Sequence, residues 1–155
     1  MSLAALALLL LGVGLLAYLT ARPPSSAAAL PPDWHHRSVT AVHVLREAGW
    51  LPSLLHPWAF GLLSAAVARA RPWQLGACVA WGGVNLLFEA GQHPALAEAL
   101  VQALGAGTWQ GAAALARYFA SGTFDPADLA AAAAGTAAAC ACVLVATRGQ
   151  EKQHA

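Results

Sequence analysis

The sequence predicts an all-α membrane protein, built as a four-helix transmembrane bundle with short interfacial helices in the outer loops. Composition is the first indication, because 59% of the 155 residues are hydrophobic and only 10% are charged, whereas soluble domains carry about 25% charged residues. The second is a series of apolar runs about as long as the roughly 20 residues that cross a bilayer. The net charge of +1 bears on partners and not on the fold: it leaves no basic face for a nucleic-acid partner.

Four apolar runs account for the predicted bundle. The first ends at Arg22, before two helix-breaking prolines, and the second contains Pro57. The third begins directly after Pro72, a residue favoured in the first turn of a helix. The fourth follows Asp125, a residue type that caps helices. The expected transmembrane helices are residues 3–21, 51–70, 73–90 and 127–147 of a single integral membrane domain, 1–155.

The first run has a second interpretation as a signal peptide. Small residues at 25–30 could provide a cleavage site after it. However, no Lys or Arg precedes the run, and a signal peptide normally begins with basic residues. We therefore expect the first helix to be retained, with cleavage as the alternative.

The arginines favour one orientation in the membrane. Short cytoplasmic loops carry an excess of Lys and Arg, and the short loop between the second and third helices contains Arg69 and Arg71. We therefore expect both termini in the cytoplasm and residues 22–50 and 91–126 outside it. Apolar stretches in both outer segments predict short helices that lie along the membrane interface, with a break at Gly105–Gly107.

A stripe of polar side chains follows the third predicted helix. Asn85, Glu89 and Gln92 are spaced by four and three residues, which places them on one face. Ionisable residues inside a membrane generally face the bundle interior and mark function. His56 and Asp128 fall at the same end of neighbouring helices, so we predict that these five residues form a ligand-binding site. The alternative is that Glu89 merely reaches water at the interface.

His93 and Asp125 are secondary candidates for the same site. Asp125 stands directly before the fourth helix, where an Asp serves first as a cap. His93 precedes Pro94, so the third helix is expected to end there. Both residues therefore have a structural interpretation beside the functional one.

A metal site is a weaker alternative at this end of the bundle. Glu89 and His93 are four residues apart, and His56 with Asp128 would complete a four-ligand shell of nitrogen and oxygen atoms. The Glu-x-x-x-His spacing is common by chance. We therefore predict neither a metal nor another cofactor.

The fourth helix carries a stripe of small residues, Ala131, Gly135 and Ala139. Such stripes allow helix backbones to approach closely in membranes. Tight packing inside the bundle is the first interpretation, and homodimerisation through the stripe is the second. The expected partners are the lipid bilayer and either a second copy or another subunit of a membrane complex.

Two stretches resemble the VanZ-like family of membrane proteins. They are FEAGQHP at residues 88–94 and YFASGTFDPADLAAAAAGTAAA at residues 118–139, and the second predicted helix is also similar. The likeness covers most of residues 50–147. The chain departs from the family pattern at Ala132, where an Asn is usual, and it lacks an Arg often found before the second motif.

The resemblance implies which residues matter and where the protein resides. The acidic and amide pair of the family's third helix corresponds to Glu89 and Gln92, its fourth-helix aspartate to Asp128, and its glycine to Gly135. A bacterial inner membrane is implied, since the founding member is associated with resistance to glycopeptide antibiotics of the teicoplanin type. No particular reaction is implied.

Three functions remain open at this stage. The first is an outward-facing polar site that binds the head group of a lipid or of a lipid-linked cell-wall precursor. The second is a membrane-embedded enzyme in which Glu89 or Asp128 acts as acid, base or metal ligand. The third is a small accessory subunit whose polar cluster only holds helices together. Whether the chain is an enzyme is left open.

Overall fold

The computed structural model describes residues 2–21, 49–107, 109 and 111–151, and all regular structure within these ranges is α-helical. The prediction of an all-α fold is confirmed. The helices are α1 Leu3–Ala21, α2 Leu51–Val67, α3 Arg71–Gly91, α4 Pro94–Gly105, α5 Ala112–Ser121 and α6 Pro126–Glu151. The proposed cleavage site and the interfacial helix expected in the first outer segment lie outside the described residues.

Prolines and caps determine where the helices begin. Helices α2, α3 and α4 each have a proline in the first turn, and α6 begins at Pro126. The Oδ1 atom of Asp125 accepts a hydrogen bond of 2.8 Å from the backbone N–H of Ala127, so Asp125 caps α6 as expected. The predicted end of the third helix before Pro94 is also confirmed, as is the break between α4 and α5.

Helix α2 lies at the centre of the fold, where it packs against α1, α3 and α6, while α6 also packs against α3. Gly14, late in α1, faces Leu55, early in α2, while Ala7, early in α1, clusters with Leu62 and Ala65, late in α2, so α1 and α2 run antiparallel. The short helices α4 and α5 pack against each other and connect the end of α3 to the start of α6. The first turns of α2 and α6 and the last turn of α3 therefore lie at one end of the bundle.

The interior of the bundle is formed mainly by small residues. The buried cluster in which α1, α2, α3 and α6 meet consists of Ala7, Leu62, Ala65, Cys78, Ala139 and Val143. Many large apolar side chains point outward instead; Val67, Trp73 and Leu87 are 84%, 75% and 73% exposed. A soluble helical bundle normally has the opposite arrangement, with its large apolar residues inside.

Glycines of α3 and α6 allow the closest helix contacts. A Cβ atom at Gly135 would collide with the backbone carbonyl of Leu54 and lie 3.2 Å from Cγ of Pro57. A Cβ atom at Gly82 would collide with the side chain of Thr136. The small-residue stripe of α6 thus packs against α2 within the chain, which supports the first interpretation of that stripe over dimerisation through it.

Within the described residues, one helical segment is both long and apolar enough to cross a membrane, Pro126–Ala146, with 21 residues. Leu3–Ala17 and Leu51–Val67 are apolar but shorter. A long apolar helix can also form the core of a soluble protein or a signal sequence, so this finding alone leaves the four-span bundle a prediction.

Candidate functional site

Polar side chains from four parts of the chain meet at the end of the bundle where α2 and α6 begin. We call them the polar cluster, and its members are Ser53, Glu89, Gln92, Tyr118 and Asp128. Ser53 lies in the first turn of α2, Glu89 in the last turn of α3, Tyr118 in α5 and Asp128 in the first turn of α6. Gln92 directly follows the end of α3.

The carboxylate of Glu89 is the centre of the polar cluster. The hydroxyl of Ser53 donates a hydrogen bond of 3.1 Å to its Oε1 atom. The amide Nε2 of Gln92 donates to its Oε2 atom over 3.2 Å. The half-buried carboxylate thus has a partner on each oxygen, as a charge removed from water requires.

Gln92 links the carboxylate to α5. Its Nε2 atom lies 3.0 Å from the hydroxyl oxygen of Tyr118 and 3.5 Å from the backbone carbonyl of Phe88. A Cβ atom at Gly122 would collide with the Gln92 side chain, so the glycine provides the space that the amide occupies. Partial burial, together with the carboxylates of Glu89 and Asp128, raises the pKa of Tyr118 above its ordinary value.

Asp128 contributes a second carboxylate without a complete set of partners. Its Oδ1 atom is buried and has no hydrogen-bond partner among the described residues. The hydroxyl of Ser53 lies close enough to favour its charged form, but the single hydroxyl proton is donated to Glu89 in this structure. The Asp128 carboxylate also acts on Glu89 electrostatically, and Asp125 acts on both. The cluster therefore holds like charges close together, which is unfavourable unless another group balances them.

Two of the five predicted site residues lie apart from the polar cluster. His56 is exposed, and its ring centroid lies 6.1 Å from that of Phe60. The amide of Asn85 donates over 2.9 Å to the carbonyl oxygen of Trp81, one turn earlier in the same helix. Neither has a side-chain hydrogen bond with Glu89 or another cluster member in the described structure.

The two secondary candidates both serve as caps. His93 precedes α4, and its Nδ1 atom accepts a hydrogen bond of 3.3 Å from the backbone N–H of Ala95. Its ring also meets that of Phe124 edge-on, with centroids 5.0 Å apart. Asp125 caps α6 and in addition adds negative charge to the site.

The metal alternative gains no support from the geometry. In the part of the chain that the structure describes, no three His, Cys, Asp or Glu side chains come together as metal ligands would. The four residues considered for such a shell are instead divided: Glu89 and Asp128 lie in the cluster, His93 caps a helix, and His56 lies on an exposed face.

Sequence reasoning missed Ser53 and Tyr118 as members of the site. Ser53 stands one turn before His56 in a helix start, where a serine is unremarkable, and Tyr118 has the position of an aromatic interfacial anchor. Either residue could have been suspected only by pairing every polar residue of the outer end with every other.

An open groove of about 400 Å³ lies between α4 and α5, beside the polar cluster. Gln92 and Gly122 lie at its cluster end, and Glu98 is the one ionisable residue among the eight that line it. The groove thus places apolar surface next to hydrogen-bonding groups, the combination typical of small-molecule sites.

Comparison of the chain with protein-family models, curated proteins and solved structures finds no match. The VanZ-like resemblance therefore rests on the motifs in the sequence and stays a prediction. The polar cluster must in consequence be interpreted from its own chemistry.

Proposed function

We propose that the chain is a four-helix integral membrane protein of VanZ-like type in a bacterial inner membrane, and that its polar cluster binds a polar lipid head group on the outer side. The head group would belong to a membrane lipid or to a lipid-linked cell-wall precursor. The observation that carries the proposal is the second carboxylate: Asp128 lies beside Glu89 with one buried oxygen unpartnered within the described chain.

The distribution of side-chain sizes supports the membrane setting. Transmembrane helices gain little from burying large apolar residues against each other, because lipid is equally apolar, and they pack instead through small residues. Helices α2 and α6 pack in this way, with Gly61, Gly135 and Ala139 at their contacts. Exposed residues such as Leu87 and Val67 would then face acyl chains.

The position of the polar cluster supports a head-group site. All of its members lie at one end of the bundle, where head groups meet a membrane protein. Buried polar atoms normally have a hydrogen-bond partner, and within the described residues Oδ1 of Asp128 has none, as is also true of Nε1 of Trp58 and Oε1 of Gln74. The Asp128 oxygen differs from those two in carrying a carboxylate charge beside a second carboxylate, Glu89, which a donor from a ligand would balance.

Reporter fusions test the membrane setting. Green fluorescent protein fused to the C-terminus fluoresces if that end is cytoplasmic, and alkaline phosphatase fused there is then inactive. The matched fusion after Gly122, between α5 and α6, is expected to give the opposite result. A C-terminal fusion that releases freely into the soluble fraction would contradict the proposal.

Native mass spectrometry of the purified protein tests the binding site. We expect wild-type protein to retain a lipid that Glu89→Gln loses, while Glu89→Asp, which keeps the charge, retains part of it. Elemental analysis of the same samples tests the metal alternative. Equal lipid retention by wild type and Glu89→Gln would contradict the proposal.

One observation favours the accessory-subunit alternative. Both oxygens of Glu89 already have partners within the chain, and these partners come from α2 and from the end of α3. In that interpretation Glu89 holds helices together and binds nothing else. It predicts that Glu89→Gln and Asp128→Asn both unfold at lower temperature without any change in bound lipid.

A further inference from the structure

The groove between α4 and α5 adjoins the polar cluster at Gln92, which lines the groove and donates a hydrogen bond to Glu89, and Gly122 lies against the Gln92 side chain. The groove side of this site is apolar apart from its edges. Its apolar lining residues are Pro94, Ala97, Val101, Phe119 and Ala120. A volume of about 400 Å³ falls within the roughly 300–1,000 Å³ typical of small-molecule sites.

The described residues that act electrostatically on the carboxylates of this site are all acidic. The carboxylate of Glu89 lies close enough to those of Asp128 and Asp125 to interact electrostatically with both, and Glu98 lines the groove. Among the described residues, no Lys or Arg contributes to the electrostatic environment of Glu89 or Asp128. A bound phosphate at the cluster would therefore meet repulsion, whereas a cationic group would balance the carboxylates.

We infer that the site takes a single lipid with a primary ammonium head group, which donates hydrogen bonds to Glu89 and Asp128 while one acyl chain lies in the groove between α4 and α5. This inference rests on the proposed function and specifies its ligand. A primary ammonium supplies three N–H donors, so it can provide the donor that Oδ1 of Asp128 lacks among the described residues and still have donors left for Glu89. Charge-assisted bonds of this kind are about twice as strong as neutral ones.

Three lipids with identical acyl chains separate charge from hydrogen bonding. Dioleoyl phosphatidylethanolamine carries a primary ammonium, dioleoyl phosphatidylcholine a quaternary ammonium without N–H groups, and dioleoyl phosphatidylglycerol a net negative charge with hydroxyl groups. The purified full-length protein is titrated with each in native mass spectrometry. We expect the ethanolamine lipid to bind about tenfold more tightly than the glycerol lipid, with the choline lipid between them.

Two pairs of variants locate the binding to the two halves of the site. Glu89→Gln is expected to abolish the preference for the ethanolamine lipid, and Glu89→Asp to keep most of it. Ala97→Leu fills the groove and weakens binding of all three lipids, whereas Ala103→Leu, on an exposed part of α4 outside the groove, does not. Thermal unfolding of each variant checks that the fold is intact, and the Ala97 pair tests the groove if Glu89→Gln fails to fold.

The possible failures are distinguishable. If the glycerol lipid binds most tightly and this binding is lost in Glu89→Gln, the polar cluster binds head groups but the ammonium assignment is wrong. If no lipid responds to Glu89→Gln, the proposed function fails with the inference. If Glu89→Gln acts as expected but Ala97→Leu binds like Ala103→Leu, the groove is not part of the site and the single-lipid inference is overturned.

Discussion

At one end of the bundle the helices meet through alanine, leucine and valine, and at the other they meet through hydrogen bonds to a carboxylate. The apolar end contains Ala7, Leu62 and Val143, all fully buried. The polar end contains Glu89, bonded to Ser53 and Gln92. Each end has a buried polar atom without a hydrogen-bond partner among the described residues, Nε1 of Trp58 beside the apolar cluster and Oδ1 of Asp128 in the polar cluster. Of the two ends, the polar one also holds neighbouring carboxylates that repel each other.

This difference predicts two kinds of mutational effect, one on the stability of the bundle and one on ligand binding. Substitutions on the small-residue side change how closely helices approach, and their effect should appear in the free energy of unfolding. Substitutions in the polar cluster change charge and hydrogen bonding, so they should alter what the protein binds and should change the free energy of unfolding less than a substitution at Gly135 does. The predictions below test that division, beginning with the largest expected effect.

The largest effect is expected where α6 touches the backbone of α2. Gly135→Leu would drive a side chain into the carbonyl of Leu54, so we expect a loss of about 3 kcal/mol in the free energy of unfolding. Gly83→Leu is the matched control, because open space surrounds that glycine. Unfolding in detergent followed by circular dichroism measures both. Equal losses in the two variants would mean that the close contact does not hold the bundle together.

A smaller loss is expected at the polar end when Glu89 loses a donor. Ser53→Ala removes the hydroxyl that lies 3.1 Å from Oε1 of Glu89 and is expected to destabilise by about 1.5 kcal/mol, as for other hydrogen bonds to charged groups. Ser53→Thr keeps the hydroxyl and serves as the control. The same unfolding measurement applies. If Ser53→Ala has wild-type stability, the bond contributes nothing and Glu89 is held by other groups.

The sharpest separation of binding from stability is expected at Asp128. Asp128→Asn removes a charge that repels Glu89, so we expect the unliganded protein to gain about 1 kcal/mol, the size typical of a partly exposed charge pair. Lipid retention in native mass spectrometry should fall in the same variant. A variant that melts earlier and retains its lipid would instead favour the accessory-subunit interpretation.

The smallest effect is expected at Tyr118. Tyr118→Phe removes the hydroxyl that accepts from Gln92 but keeps the ring, whose centroid lies 5.5 Å from that of Phe88. We expect a loss of about 0.5 kcal/mol in the free energy of unfolding, the lower range for a neutral hydrogen bond. Tyr118→Leu, which also removes the ring contact, should lose more. Equal losses would show that the hydroxyl carries the whole contribution of the side chain.

The helices could be predicted from the sequence because local signals mark their ends. Pro72, Pro94 and Asp125 act within one turn of their own positions, through missing N–H groups and side-chain caps. The break near Gly105 is equally local. These features do not depend on how the helices pack, so sequence reasoning located them within a few residues.

The membership of the polar cluster depends on packing and could be predicted only in part. Ser53 and Glu89 are 36 residues apart in the chain, and Gln92 and Tyr118 are 26 apart. No periodicity reports which residues of different helices will meet. His56 is expected in the site because it lies near the same end of α2 as Ser53. It is rotated about 60° around the helix axis from Ser53, and its side chain is exposed.

The sequence also did not indicate which faces of α1 and α6 are buried in the bundle. Both helices are apolar around their whole circumference, so no amphipathic stripe indicates which side faces the bundle. Residue size gives only part of the information: Ala7, Ala17 and Ala139 lie inside and Leu8, Leu15 and Val145 lie outside, but Val143 is fully buried. The stripe through Gly135 was the one part of this pattern that spacing alone indicated.

The close contact at Gly135 has a consequence for traffic across the proposed membrane. The backbone of α6 at Gly135 touches the backbone of α2 at Leu54, and Gly61 of α2 lies against Ala139 of α6, so the space between these two helices is too narrow for a solute to pass. In the proposed membrane, a ligand held at the polar cluster of a single copy therefore has no path across the bilayer along the contact between α2 and α6. The same contact that holds the bundle together would thus keep the proposed site accessible from one surface of the membrane and closed along this helix pair toward the other.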